Sequence, residues 1–202
     1  GGLDSTRSGI IYLSETFSNI SFQKKPNKFK EKIVASKVSG EDNGVSFNRA
    51  EDSNINLYEN SIEVFNDLVS PISSNAFSYY KYKLEGTFYD SNGKLINKIR
   101  LIPRRGNDRV FEGSIYIVEN DWAIYGCDIV TSGVQVNLPF VNSLGLKQGY
   151  AYSEKIDAWV LISQSIDFDI SIFGFKPKGK FSYVYSDYDF NPNFTEDTFT
   201  NE

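Results

Sequence analysis

The sequence predicts a mainly β chain: a curved antiparallel sheet that could bend into a half-barrel, with one or two short helices. Three observations lead there. Aromatic residues make up 15% of the 202 residues, led by 16 Phe and 13 Tyr, and such side chains favour the half-buried surface of a sheet. From Tyr79 to Val130, strand-like runs alternate with turns of a few residues, too short to cross over between parallel strands. Between Ile166 and Ile172 apolar and polar residues alternate cleanly, which gives a strand one apolar face and one wet face.

The elements follow in order. IIYLSETFSNISF and FKEKIVASKV read as two strands of a hairpin, with Pro26 and Asn27 in the turn QKKPNK between them. The next stretch, GEDNGVSFNRAEDSN, is rich in Gly, Asn and Asp and reads as a loop. Ile62, Phe65, Leu68 and Val69 recur at helical spacing, Asn60 or Ser61 could cap the start, and Pro71 stops the run, so a short helix is expected there. A second helical turn is expected over Ser74 to Tyr79. A meander follows: YYKYKLEGTFYD, LINKIRLIP, RVFEGSIYIV and WAIYGCDIV, joined by SNGK, RRGND and END. SLGLKQGYAYSE, AWVLISQSIDFDISIFGF and KGKFSYVYSDYDF continue it as long strands. Neither a repeat of fixed period nor a low-complexity segment is present.

With 40% hydrophobic and 23% charged residues, the chain has enough apolar material for one domain over residues 1–202. A net charge of -5 argues against nucleic acid, which needs a basic face for its phosphates. The opening GGLDSTRSG lacks the basic-then-apolar pattern of a secretory signal, and no apolar run approaches the roughly 20 residues of a spanning helix. An exported protein would therefore contain this chain as a mature or excised piece; the leading Gly-Gly is left out of the fold argument.

Histidine is absent, which removes imidazole-based triads and most zinc sites. No cofactor is implied. Cys127, the single cysteine, lies in the strand pattern IYGCDIV and reads as a small core residue, with no cation beside it to hold a thiolate. Asp167 and Asp169 share one strand face, as do Asp187 and Asp189; paired carboxylates can hydrolyse glycosides, and a solvated strand face gives the same pattern. GEDNG, at Gly40 to Gly44, offers oxygen ligands without the spacing of a calcium loop.

Arg104, Arg105 and Arg109 cluster at one turn, and Lys94, Lys98 and Arg100 come from the preceding strand and its turn. Such a corner could hold an anionic head group or an acidic loop, or simply keep strand ends soluble, with Gly106 free to take a positive φ in the turn. The aromatic series Phe181, Tyr183, Tyr185, Tyr188, Phe190 and Phe194 could stack sugars or bases; covering a core is the commoner use of such a strand.

The words YLSET (Tyr12 to Thr16), KEKIVASKVSG (Lys30 to Gly40), SPISSNAFSYYKYKLEGTFYD (Ser70 to Asp90), NKIRLIPRRGNDRVFEGSIYIVENDWAIYG (Asn97 to Gly126), SEKIDAWVLISQSIDFD (Ser153 to Asp169) and GKFSYVYSDYDFNPNF (Gly179 to Phe194) carry a resemblance over nearly the whole chain. It is to an outer-membrane family of Bacteroidota labelled carboxypeptidase-regulatory-like domain-containing protein, in its central domain of unknown function. The resemblance implies a periplasmic module between a β-sandwich and a C-terminal membrane barrel, with membrane association through that barrel. The carboxypeptidase label belongs to the sandwich and implies no peptidase activity here. The meander also resembles, more loosely, the half-barrels of periplasmic lipoprotein carriers, which close over helices and hold acyl chains.

The expectation is therefore a non-catalytic module that binds lipid, lipoprotein or an envelope protein at an apolar face. Arg104, Arg105 and Arg109 would form a charged rim, and Tyr116, Trp122 and Trp159 the apolar lining. The rival readings are an envelope glycan hydrolase using Asp167 and Asp169, and a structural spacer.

Overall fold

A computed structural model describes residues 10–24, 27–40, 55–64, 66–171 and 178–185. The alternation seen in sequence becomes strands. In β9 (Val141–Ser153) Leu144, Leu146, Gln148 and Tyr150 are buried while their neighbours are more exposed, and in β10 (Ala158–Ile170) Gln164, Ile166, Phe168 and Ile170 do the same. β5 (Tyr80–Tyr89), β6 (Leu95–Pro103), β7 (Glu112–Val118), β8 (Ile124–Ser132) and β11 (Lys178–Val184) complete the meander, each strand pairing antiparallel with the next.

The expected N-terminal hairpin forms as β1 (Ile10–Lys24) and β2 (Asn27–Gly40). It joins the meander beside β11, with β1 running parallel to β11. Among the described residues this gives a nine-stranded sheet of order β2-β1-β11-β10-β9-β8-β7-β6-β5. The sheet stays open, with β2 and β5 as its edges. A bulge between Leu84 and Gly86, together with Lys81 and Lys83, makes β5 a poor template for another strand.

The expected helix at Ile62 to Val69 is a β-hairpin instead, β3 (Ser61–Val64) and β4 (Asn66–Val69), paired from Ser61–Val69 to Val64–Asn66. Short apolar runs fit either period, and here tertiary packing decides. Ile62 faces Leu68 across the hairpin, so both side chains enter the core together. Asn60 does not cap a helix; its side-chain oxygen accepts the Ser74 N–H. The second expected helical turn is present only as a single 3-10 turn, Ala76–Ser78.

Residues 55–64 and 66–79 form a strap across the apolar face of the sheet. Ile55, Leu57, Ile62, Leu68 and Ala76 are buried in one cluster with Leu101, Ile115, Ile129, Leu146 and Ile166 of the strands. Each buried Leu and Ile side chain among them contributes on the order of 1.5–3 kcal/mol by leaving water. Polar ties fix the strap at several points. Gln148 donates through Nε2 to Ile55 O at 2.7 Å and to Gln164 Oε1 at 2.6 Å, and Tyr150 donates its hydroxyl to Gln148 Oε1. Asn66 donates to Val136 O, and the Val69 N–H to Arg109 O. Tyr80 closes the strap onto β5: its hydroxyl donates to Val69 O and accepts the Phe111 N–H at 3.0 Å.

Gly179 fits beneath the Phe168 ring, where an added Cβ would come within 2.1 Å of the ring. This pairing of a glycine with an aromatic across two strands keeps β10 and β11 closely packed.

Candidate functional site

The alternation of the meander assigns its turns to two ends of the sheet. The turns after β5 (90–94), β7 (119–123) and β9 (154–157) share one end; those after β6 (104–111) and β8 (133–140) share the other. The expected site residues divide accordingly.

The arginines sit at the second end, all three exposed, and two of them have partners within the chain. Arg104 is a structural tie: its Nε donates to Phe77 O at 2.8 Å and Tyr80 O at 3.2 Å, and its N–H to Tyr79 O. Arg105 pairs with Asp108 at 3.4 Å, and Arg109 is exposed, with its carbonyl engaged by Val69. The positive-φ glycines among the described residues are Gly93 and Gly113, so Gly106 makes its turn without that freedom. Nearby, burial pushes the Tyr82 phenol up to about 12, and its hydroxyl donates to Pro71 O. Burial likewise raises Tyr80.

At the first end, side chains from five strands make a chain of edge-to-face rings. Tyr116 meets Phe88 at 6.3 Å, Phe88 meets Tyr125 at 6.1 Å, Tyr125 meets Trp159 at 5.8 Å, and Trp159 meets Tyr152 at 5.8 Å. These are favourable aromatic geometries. Polar groups pin the chain. Trp159 Nε1 donates to Asp121 Oδ2 at 3.0 Å, the same oxygen takes the Lys94 ammonium at 3.0 Å, and Lys94 lies 5.8 Å from the centre of the Tyr152 ring. The Tyr152 hydroxyl donates to Asp157. The Trp159 and Lys94 bonds hold the Asp121 carboxyl below its ordinary range, and the bond to Asp157 raises the Tyr152 phenol.

Beside this chain stands Trp122, 75% exposed, on a backbone with φ 53. A bulky residue in the left-handed region is an outlier. Its turn is closed by Val118 N–H to Ala123 O and Trp122 N–H to Val118 O, and Asn120 also has positive φ. Tyr89, Phe88 and Tyr152 are 72, 41 and 39% exposed. Thus Tyr116 and Trp159 belong to one surface and Trp122 to its adjoining turn. Phe88, Tyr125, Tyr152 and Asp121 were not singled out from the sequence; counting the turns alternately up and down the meander would have found them.

A family model described as "Family of unknown function (DUF5686)" matches residues 1–188. The chain belongs to the DUF5686 family. No curated protein and no solved structure matches it.

Elsewhere on this DUF5686 chain, Asp167 and Asp169 face Lys180 and Lys178 across β11 at 3.7 and 3.3 Å, the ion-paired arrangement of a solvated face. Cys127 is buried, and burial pushes its thiol up to about 12, so it stays protonated near neutrality. An open hollow of about 320 Å³ lies among Lys98, Arg100, Glu112, Ser114, Tyr116 and Asp128. Two of its charges are already neutralised, Lys98 by Glu85 and Asp128 by Lys147. Asp187, Asp189, Tyr188, Phe190, Phe194 and the Glu41–Gly44 part of GEDNG lie outside the described residues.

Proposed function

We propose that this chain is a non-catalytic module on the periplasmic side of the outer membrane, part of a β-barrel protein of Bacteroidota, and that it engages an envelope protein through the aromatic end of its sheet. The resemblance in wording supports the location. One observation carries the choice of partner class: the apolar face that an acyl chain would need is filled by the chain's own strap, with Leu57 and Leu68 fully buried there. The rings at the turn end, in contrast, face outward. Aromatic side chains fixed by hydrogen bonds are the usual anchors of protein interfaces.

The test is photo-crosslinking in the native envelope, with a photoreactive residue at Tyr89 of the full-length protein and organic extraction of the purified chain alongside. A discrete crosslinked protein band with a lipid-free extract is the expected result. A stoichiometric lipid in the extract and no band would overturn the reading in favour of a lipid carrier. Neither a band nor a lipid would leave a spacer.

A further inference from the structure

We infer that the aromatic end recognises a cationic segment, one presenting arginine or lysine side chains, on its protein partner. This rests on the protein-binding reading above and names the chemistry of the partner. The three turns at this end carry Asp90, Glu119, Asp121, Glu154 and Asp157 against Lys94 and Lys155, an excess of three negative charges. Exposed aromatic faces stand among those carboxylates, and that combination attracts a guanidinium or ammonium group by ring quadrupole and by charge together.

The end already holds one cation in this way. Lys94 lies over the Tyr152 ring with its ammonium on Asp121. Trp122 offers a further indole, exposed and with no ring contact of its own among the described residues, and Glu154 lies in a neighbouring turn at the same end with no hydrogen-bond or ion-pair partner among them.

Other occupants fit less well. An anionic lipid surface would be repelled by the carboxylates. A pyranose prefers flat, parallel ring faces, whereas successive rings here meet at 60 to 76°.

The two tryptophans of the chain, Trp122 and Trp159, both lie at this end, so their indole N–H signals report on it directly. The experiment is an NMR titration of the 202-residue chain with hexa-arginine, with hexa-glutamate and chitohexaose as comparisons, and with Trp122→Gly and Glu154→Gln variants. Saturable shifts of both indoles with hexa-arginine alone are expected. The Trp122→Gly variant should weaken binding about tenfold, read at Trp159.

Equal binding by Trp122→Gly would reduce the effect to net charge and overturn the inference. So would shifts with chitohexaose in place of hexa-arginine, or indole shifts that depend on protein concentration alone, which would make a second copy the occupant. A crosslink from Tyr89 combined with an indifferent indole pair would discard the cationic partner and keep the protein-binding reading.

Discussion

The two ends of the sheet are built on opposite plans. At the 104–111 and 133–140 end, polar groups are spent inward: Arg104 on Phe77 and Tyr80, Tyr80 on Val69 and Phe111, and Thr131 and Ser132 on Gln135. At the other end, Trp122 is held in a strained backbone and exposed, with rings and carboxylates around it. One end closes the fold. The other gives up stability for a surface, as interaction sites tend to do.

Substitutions should separate the two ends, and the largest effect belongs to the strap. Leu68→Ala should cost about 2–5 kcal/mol in urea unfolding, because the buried side chain leaves a cavity between hairpin and sheet. A loss below about 1 kcal/mol would mean that the strap is not part of the cooperative unit. Tyr80→Phe should cost about 1–3 kcal/mol by stranding Val69 O and the Phe111 N–H in the interior.

The aromatic end should respond with the opposite sign. Trp122→Gly should stabilise the chain by about 1 kcal/mol, since glycine adopts positive φ without strain. A destabilised variant would mean that the indole contributes to folding and would erase the contrast between the ends.

The smallest effect is the pH dependence of the Asp121 tie. Its carboxyl is held below the ordinary range in the folded chain, so its contribution is complete above that range and is lost as pH falls through the folded value. Trp159 fluorescence should therefore change in acid, below the pH where ordinary carboxylates titrate. In Asp121→Asn that transition should vanish.

The meander from Tyr80 to Val184 was legible in the sequence because its turns are short and its period is two, both local properties. The Ile62–Leu68 hairpin was not, since its apolar spacing also fits a helix and only the face beneath it selects the strand form. The pairing of β1 with β11 joins residues more than 160 apart and leaves no local trace. Tyr116, Trp122 and Trp159 could be singled out as aromatic residues within strands or turns, but their gathering depends on strand direction. The partners of the arginines were hidden for a related reason: a charge cluster in sequence says nothing about which carbonyls wait beside it, and the Arg104 Nε meets two of them.

The parallel seam has a mechanical consequence. Because β1 and β11 run the same way, from Ile10 beside Lys178 to Glu15 beside Ser182, a pull between Ile10 and Val184 acts along the strands. The hydrogen bonds of the seam then share the tension in shear and yield together, whereas a hairpin pulled from its two ends opens bond by bond. A tethered chain of this topology would hold its shape under force until the whole seam slips.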